Sequence, residues 1–114
     1  MAPTDVTATD ESIQNWTVDP FNFGGETYNT IGVVSDGYLV LGGGTSADVN
    51  FVPQNLPDPN VPNNVLAPYW TDLNPTFGGH IWINEITDGT NLWVVVEYQA
   101  VDVFTSRQPR TFEV

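Results

Sequence analysis

The side chains that could carry nucleophilic or acid–base chemistry are few and poorly placed for it. His80 is the only histidine, and it falls at the start of a predicted strand beside two glycines. Ser35, Ser46 and Ser106 all fall in predicted turns, and none stands in the strand-to-helix setting of a nucleophile elbow. We therefore interpret His80 as a half-exposed strand-end residue, and we predict no catalytic residues and no enzymatic activity.

Glu85 and Glu97 are the best candidates for a catalytic pair of acids, because they fall on the two strands of one predicted hairpin. Glycoside hydrolysis needs two carboxyl groups about 5 to 10 Å apart. The chain has 14 acidic residues, so such pairs will also arise by chance. We interpret Glu85 and Glu97 as solvent-side strand residues.

Oxygen-rich side chains leave calcium binding open, although the sequence requires no cofactor. Calcium takes six to eight oxygen ligands, and the chain has no cysteine that could form a thiolate site and no DxDxDG loop. The candidate ligands are Asp58, Asn60, Asp72 and Asn74. For Asp72 the alternative is a turn-forming carboxylate that accepts hydrogen bonds from backbone N–H groups.

Large aromatic residues offer a third kind of chemistry, the stacking of sugar rings. Such side chains also bury about 150–250 Å² each when they fill a core, and this domain needs a core. We assign most of them to the interior. The candidates kept for binding are Tyr69, Trp70 and Trp82, together with Phe112 on the last strand.

The charge balance excludes several classes of partner. Two basic residues face 14 acidic ones, for a formal net charge of −12. Nucleic-acid binding relies on basic residues that neutralise phosphates, so it is excluded, and anionic membrane surfaces are disfavoured for the same reason. No apolar run approaches the roughly 18 residues of a membrane helix. The acidic excess is compatible with an extracellular setting.

The elements that hold these residues read as short strands separated by Gly, Pro and Asp turns. Helical periodicity is nearly absent, which predicts an all-β antiparallel sandwich with little or no helix. The predicted strands cover residues 12–18, 27–34, 38–41, 79–87, 91–101 and 111–114. Asp19-Pro20 is expected to end the first of them, and residues 102–110 are expected to form a polar turn.

Three stretches fall outside this pattern. Residues 1–11 read as a linker or disordered tail, which leaves 12–114 as one domain. Residues 42–64 form a long Pro/Asn-rich loop, which Phe51, Val52, Leu56 and Val61 could anchor. Residues 63–74, NNVLAPYWTDLN, are predicted to be an irregular apolar plug that lies across or between the sheets.

Two of these stretches carry a family resemblance. SDGYLVLGGG, a Pro/Asn-rich loop and NNVLAPYWTDLNP, followed by a Gly-Gly turn into a hairpin, resemble the nidogen-like motif. They look closer still to accessory domains that follow the catalytic domain in secreted bacterial subtilisin-like serine proteases. The resemblance covers residues 12–114. In such domains the last strand continues past FEV, so the resemblance leaves open whether this sheet lacks its last strand.

The resemblance implies a non-catalytic, secreted accessory module of a bacterial protease or surface protein. Its partner would be another protein or another domain of the same chain, contacted through the long loop and the exposed edge strand. One alternative is a carbohydrate-binding module that uses exposed aromatics. Another is a structural subunit that self-associates by strand exchange at the edge formed by TFEV, because an exposed edge offers unpaired backbone groups.

Overall fold

The computed structural model describes residues 3–114, which form nine strands in two antiparallel sheets packed face to face. This confirms the predicted all-β sandwich. The strands are β1 (Thr4–Asp5), β2 (Ile13–Phe23), β3 (Glu26–Val34), β4 (Tyr38–Leu41), β5 (Val65–Leu66), β6 (Leu73–Asn74), β7 (His80–Thr87), β8 (Leu92–Val103) and β9 (Pro109–Glu113). Besides these strands, residues 3–114 contain one 3₁₀ turn, at Ser46–Asp48. Within the described range no helix is long and apolar enough to cross a bilayer.

The sheets have four and five strands. The four-stranded sheet has the order β2-β3-β4-β5. In the five-stranded sheet β7 lies between β1 and β8. Strand β8 also pairs with β6 and with β9. The long β7–β8 hairpin was predicted to within a few residues, because its strands alternate clearly and an Asp-Gly turn joins them.

The core lies between the inward faces of the two sheets. Ile81 and Ile83 alternate inward along β7, where they lie opposite Tyr98 and Val96, and all four are buried. Valine, isoleucine and leucine side chains of β3 and β4 cover them from the other sheet. The Tyr98 hydroxyl donates a 2.7 Å hydrogen bond to the carbonyl of Val34, so a polar bond also joins the sheets through the core.

Strand β2 differs from the prediction, because it continues through Asp19-Pro20 to Phe23. The pairing with β3 shifts register between Thr17 and Phe21, which marks a bulge. A proline is tolerated here because β2 is the edge strand of its sheet, so the missing N–H can face away from β3.

The prediction of a tail at residues 1–11 is wrong for its central part. Thr4 and Asp5 pair with β7, and Val6 is completely buried in the core. One apolar side chain in a Thr- and Asp-rich stretch is enough to hold it when a sheet edge is available. Residues 1–2 lie outside the described residues.

Residues 63–74 cross from one sheet to the other, which agrees with the predicted placement across the sheets, but most of the segment does not fill the interior between them. Val65 and Leu66 pair with β4 in one sheet, whereas Leu73 and Asn74 pair with β8 in the other. The residues between them run over the surface, and Pro68 and Tyr69 are exposed. Only the end of the segment is fully buried, at Leu73 and Asn74.

The long loop is anchored differently from the prediction. Phe51, Val52, Leu56 and Val61 are all more than half exposed, so they do not hold it. Tyr38 and Trp70 do. Their hydrogen bonds to the loop backbone are described below.

Candidate functional site

Three loops meet at the β3–β4 turn, and this junction explains the two most distinctive sequence motifs. Tyr69 N donates to the carbonyl of Gly37, and Thr71 N donates to the carbonyl of Asp36. Gly37 has φ +84°, and a Cβ atom there would overlap the Tyr69 carbonyl oxygen. The Gly-Tyr and Ala-Pro-Tyr-Trp motifs are therefore two halves of one contact, which requires glycine.

Trp70 anchors the long loop at this junction. Its ring packs on Tyr38 with 4.3 Å between centroids, and its Nε1 donates a 2.8 Å hydrogen bond to the carbonyl of Asn50. The Tyr38 hydroxyl accepts from Asn50 N at 3.0 Å and donates to the carbonyl of Asp48. Burial raises the pKa of Tyr38 to about 12, so this hydroxyl stays protonated at physiological pH. Trp70 is thus engaged in structure and does not form an open sugar platform.

Carboxyl groups converge beside the same junction. One oxygen each of Asp10, Glu11 and Asp72 can be chosen so that all lie within 4.8 Å of one another. Asp36 lies behind them and is fully buried. We call these four residues the acidic junction.

The Asp36 carboxyl group has one satisfied oxygen and one unsatisfied oxygen. Its Oδ1 accepts a 3.2 Å hydrogen bond from Leu73 N, while its Oδ2 is buried without a hydrogen-bond donor. Burial, followed by the negative charge of Glu11, raises the pKa of Asp36 to about 8. The pKa of Glu11 is raised by burial and then by Asp72, and that of Asp72 by burial and then by Asp10. Among the described residues, neither arginine is among the charges that shift these pKa values.

The structure does not bring the four predicted calcium ligands together. Asp58 and Asn60 bond to each other within the long loop. Asn74 is buried, and its side-chain oxygen accepts from Thr76 N. Asp72 belongs instead to the acidic junction. Sequence reasoning missed Asp36 because an Asp-Gly pair reads as a turn, and it missed Asp10 and Glu11 because they fell in the predicted tail.

The two predicted acids of the hairpin lie on opposite faces of the five-stranded sheet. Glu85 shares the face of Ile81 and Ile83, whereas Glu97 pairs with Trp82 on the other face. Glu85 accepts a 2.7 Å hydrogen bond from Asp19 N of the opposite sheet. A sheet separates the two carboxyl groups, so they do not form a catalytic pair.

His80 is the first residue of β7 and contacts Asp5, with 3.0 Å between Nδ1 and a carboxylate oxygen. Ser35, in the β3–β4 turn, accepts a hydrogen bond from Ser12 N through its Oγ. These partners account for both side chains as structural residues at strand ends.

Trp82 and Asn84 line a shallow groove of about 500 Å³ on the outward face of the five-stranded sheet. We call it the outer groove; it is lined by Pro3, Trp82, Asn84, Ile86, Val95, Glu97, Gln99 and Glu113. Trp82 Nε1 donates a 2.9 Å hydrogen bond to the Gln99 side chain. The Asn84 side-chain oxygen is buried without a hydrogen-bond donor.

Phe112 and Tyr69 lie on the opposite side of that sheet. The Phe112 ring stacks on buried Tyr98, with 4.5 Å between centroids and 13° between planes, and also contacts Tyr69. Arg110 Nε donates to the Tyr69 hydroxyl at 3.3 Å. The Phe112 side chain is therefore half-buried and packs at the edge of the core.

One end of the sandwich is open between the sheets. The opening holds about 300 Å³, and every lining residue is apolar. We call it the apolar mouth; its lining is Pro20, Phe21, Phe23, Ile31, Leu39, Leu41, Leu66, Leu92, Trp93, Val94 and Val114.

Backbone groups of β8 are unpaired beside the apolar mouth. Val96 exchanges two hydrogen bonds with Val114, at 3.2 and 3.0 Å, on the β9 side of the strand. In an antiparallel ladder, alternate residues bond to the same side, so the N–H and C=O groups of Val94 and Leu92 also point to that side. No strand within residues 3–114 pairs with them there.

Together these features define a β-sandwich domain with a tightly connected loop junction at the β3–β4 turn and an open apolar end. A family model described as NIDO related matches residues 2–114, so the chain belongs to the nidogen-related family, whose members are generally non-catalytic domains. No curated protein and no solved structure matches the chain.

Proposed function

We propose that this domain is a non-catalytic extracellular accessory module that takes up a further β-strand beside β8, supplied by a protein partner or by another segment of the same protein. The observation that carries the proposal is the unpaired backbone of Leu92 and Val94 directly over the apolar mouth. Unpaired strand edges recruit further strands, and main-chain hydrogen bonds then supply affinity while side-chain pockets supply specificity.

The shape of the site specifies the incoming strand. The incoming strand would lie beyond Val114 in the direction of β9 and would pair antiparallel with β8. Every second side chain points into the mouth, between Val94 and Leu92 on one sheet and Leu39 and Leu66 on the other. Each large aliphatic side chain buried there is worth about 1.5–3 kcal/mol. Each added backbone hydrogen bond contributes about 1 kcal/mol. The partner segment is therefore extended, with apolar residues at alternate positions.

The setting of this activity rests on family membership and on sequence resemblance. Membership of the nidogen-related family supports an extracellular protein. The motifs SDGYLVLGGG and NNVLAPYWTDLNP support an accessory role in a secreted bacterial subtilisin-like protease or surface protein. The strand would then come from another domain of that protein or from a separate protein. Sequencing the full reading frame tests this setting.

The strand-acceptor site can be tested by fusing short strands to Val114 that differ in which residues point into the apolar mouth. Thr-Val-Thr-Val-Thr placed directly after Val114 would direct both valines into the mouth, whereas Val-Thr-Val-Thr-Val would direct threonines inward. Both segments consist of good strand formers, so they differ mainly in whether valine or threonine side chains point into the mouth. We expect the first fusion to raise the melting temperature more and to protect the Val94 and Leu92 amides from hydrogen exchange. Equal effects of the two fusions, or none, would refute the site.

Binding from a separate molecule needs a second experiment with matched variants. The strand Thr-Val-Thr-Val-Thr is supplied as a free peptide, while the native residues Thr111 to Val114 keep their place beside β8. Leu92→Asp places a charge in the mouth, whereas Ile86→Asp places one on the outer groove, and the two residues are 42% and 47% exposed. We expect Leu92→Asp alone to weaken binding. Sedimentation of the free domain shows in parallel whether a second copy supplies the strand.

A second candidate function, carbohydrate binding, is favoured by the outer groove. An accessible indole beside amide and carboxylate side chains suits a sugar ring. Of the three aromatics considered from the sequence, only Trp82 lies there. A glycan array read with wild type and Trp82→Ala tests this candidate. Glycan binding that is lost in the variant would support it, whereas a blank array would leave strand acceptance as the function.

A further inference from the structure

We propose that the acidic junction is a calcium-binding site formed by Asp10, Glu11 and Asp72, with Asp36 as the buried fourth carboxyl group. This inference is independent of the proposed strand acceptance. The site differs from the ligand set that the sequence suggested, with which it shares only Asp72.

Geometry is the first support for the proposal. Calcium–oxygen distances are about 2.3–2.6 Å, so two ligands on opposite sides of one calcium ion are about 5 Å apart. The three chosen oxygens of Asp10, Glu11 and Asp72 lie within 4.8 Å of one another. Magnesium usually keeps several waters and is bound through only one or two carboxylates, whereas calcium takes six to eight oxygen ligands. Several converging carboxyl groups therefore suit calcium.

Buried oxygens without donors are the second, independent support. Asp36 is 0% exposed, and its Oδ2 has no donor although it lies beside the Glu11 carboxyl group. Asp10 Oδ1 is buried and has no donor either. Leaving such oxygens unsatisfied is costly, and a cation satisfies several at once.

The absence of a basic side chain is the third support. The domain has only two basic residues, Arg107 and Arg110. The Arg107 guanidinium lies over the Phe77 ring, 3.3 Å from its centroid. Arg110 bonds to the Tyr69 hydroxyl. The converging carboxyl groups therefore depend on protons or on a metal ion for neutralisation.

The fold holds the ligands on three separate segments. Asp10 and Glu11 precede β2, Asp36 is in the β3–β4 turn, and Asp72 precedes β6. A bound ion would therefore fasten the N-terminal segment to the crossover that joins the two sheets. Its removal should loosen both.

Calorimetric titration of the whole domain with CaCl₂ and with MgCl₂, at constant ionic strength and pH 7.5, tests the proposal. We expect one calcium ion per chain with a dissociation constant in the range of extracellular modules, about 10⁻⁴–10⁻³ M, and weaker magnesium binding. Asp72→Asn and Glu11→Gln should each weaken calcium binding at least about tenfold. Asp58→Asn, a carboxylate outside the junction, should leave it unchanged.

Thermal unfolding provides a second readout that does not depend on a measurable heat of binding. Calcium should raise the melting temperature of wild type and of Asp58→Asn, and should do so much less for Asp72→Asn. No binding and no shift at about 10 mM calcium, above the weakest expected dissociation constant, would overturn the proposal and leave shared protons as the neutralising species. Binding lost only in Asp58→Asn would place the metal in the long loop and would also overturn it. Equal affinity for magnesium would overturn the assignment to calcium.

Discussion

Replacing Asp36 with asparagine should change the pH dependence of stability in a way that follows from burial. Asp36 is fully exposed to water in the unfolded chain, where its pKa is the ordinary 3.8, and burial raises the pKa to about 8 in the folded protein. The folded state therefore holds one more proton than the unfolded state between these values. Stability contributed by this group is intact below about pH 4 and falls as the pH rises toward 8.

The size of the effect follows from the same two pKa values. One pKa unit corresponds to about 1.4 kcal/mol, so wild type should lose about 2–3 kcal/mol between pH 5 and pH 7 through Asp36 alone. For a domain of this size each kcal/mol corresponds to roughly 3–5 °C, so the melting temperature should fall by about 10 °C. Glu11 and Asp72 act in the same direction, because their pKa values are also raised.

Asp36→Asn keeps an oxygen that can accept from Leu73 N and adds an amide that can donate toward Glu11. In EDTA, the melting temperature of the variant should be close to that of wild type at pH 4 and clearly higher than that of wild type at pH 7. Asp58→Asn controls for the loss of one negative charge from a domain of net charge −12. The measurement is the difference in melting temperature between each variant and wild type across pH 4–8. A difference for Asp36→Asn that does not grow with pH would refute the reasoning.

Three further substitutions test the packing. Gly37→Ala should destabilise the domain by at least about 3 kcal/mol in urea unfolding, because the new Cβ would overlap the Tyr69 carbonyl at a positive φ; a change under about 1 kcal/mol would contradict this contact. Trp70→Phe keeps an aromatic ring but removes the donor to Asn50, so limited proteolysis should cut the long loop sooner while the melting temperature falls by only a few degrees. Tyr98→Phe should cost about 0.5–1.5 kcal/mol, because the core loses the hydroxyl that donates to the Val34 carbonyl, and an unchanged urea midpoint would show that this bond is dispensable.

Local patterns in the sequence were enough to predict the sandwich and most of its strands. The β7–β8 hairpin has a two-residue period and an Asp-Gly turn, and both signals depend only on near neighbours in the chain. The same locality explains the error at Pro20. A proline ends a central strand, but it is tolerated on an edge strand, and no local signal shows where a strand lies in its sheet.

The candidate site could not be predicted in the same way. Asp36 reads as a turn residue from the sequence, whereas in the fold Leu73 N of the crossover donates to its carboxyl group and Glu11 lies beside it. Asp10 and Glu11 looked like part of a tail, because the burial of Val6 depends on the β7 edge that receives Thr4 and Asp5. Residues far apart in sequence meet only after both sheets have formed.

The sequence by itself determined the class of fold and the acidic character, because these depend on composition and short-range alternation. Tertiary structure decided which carboxyl groups meet, which face of the sheet each hairpin acid occupies, and where residues 3–114 leave the β8 backbone unpaired beside an apolar opening. The physical reason is that burial and charge proximity are set by contacts between segments that the chain order keeps apart.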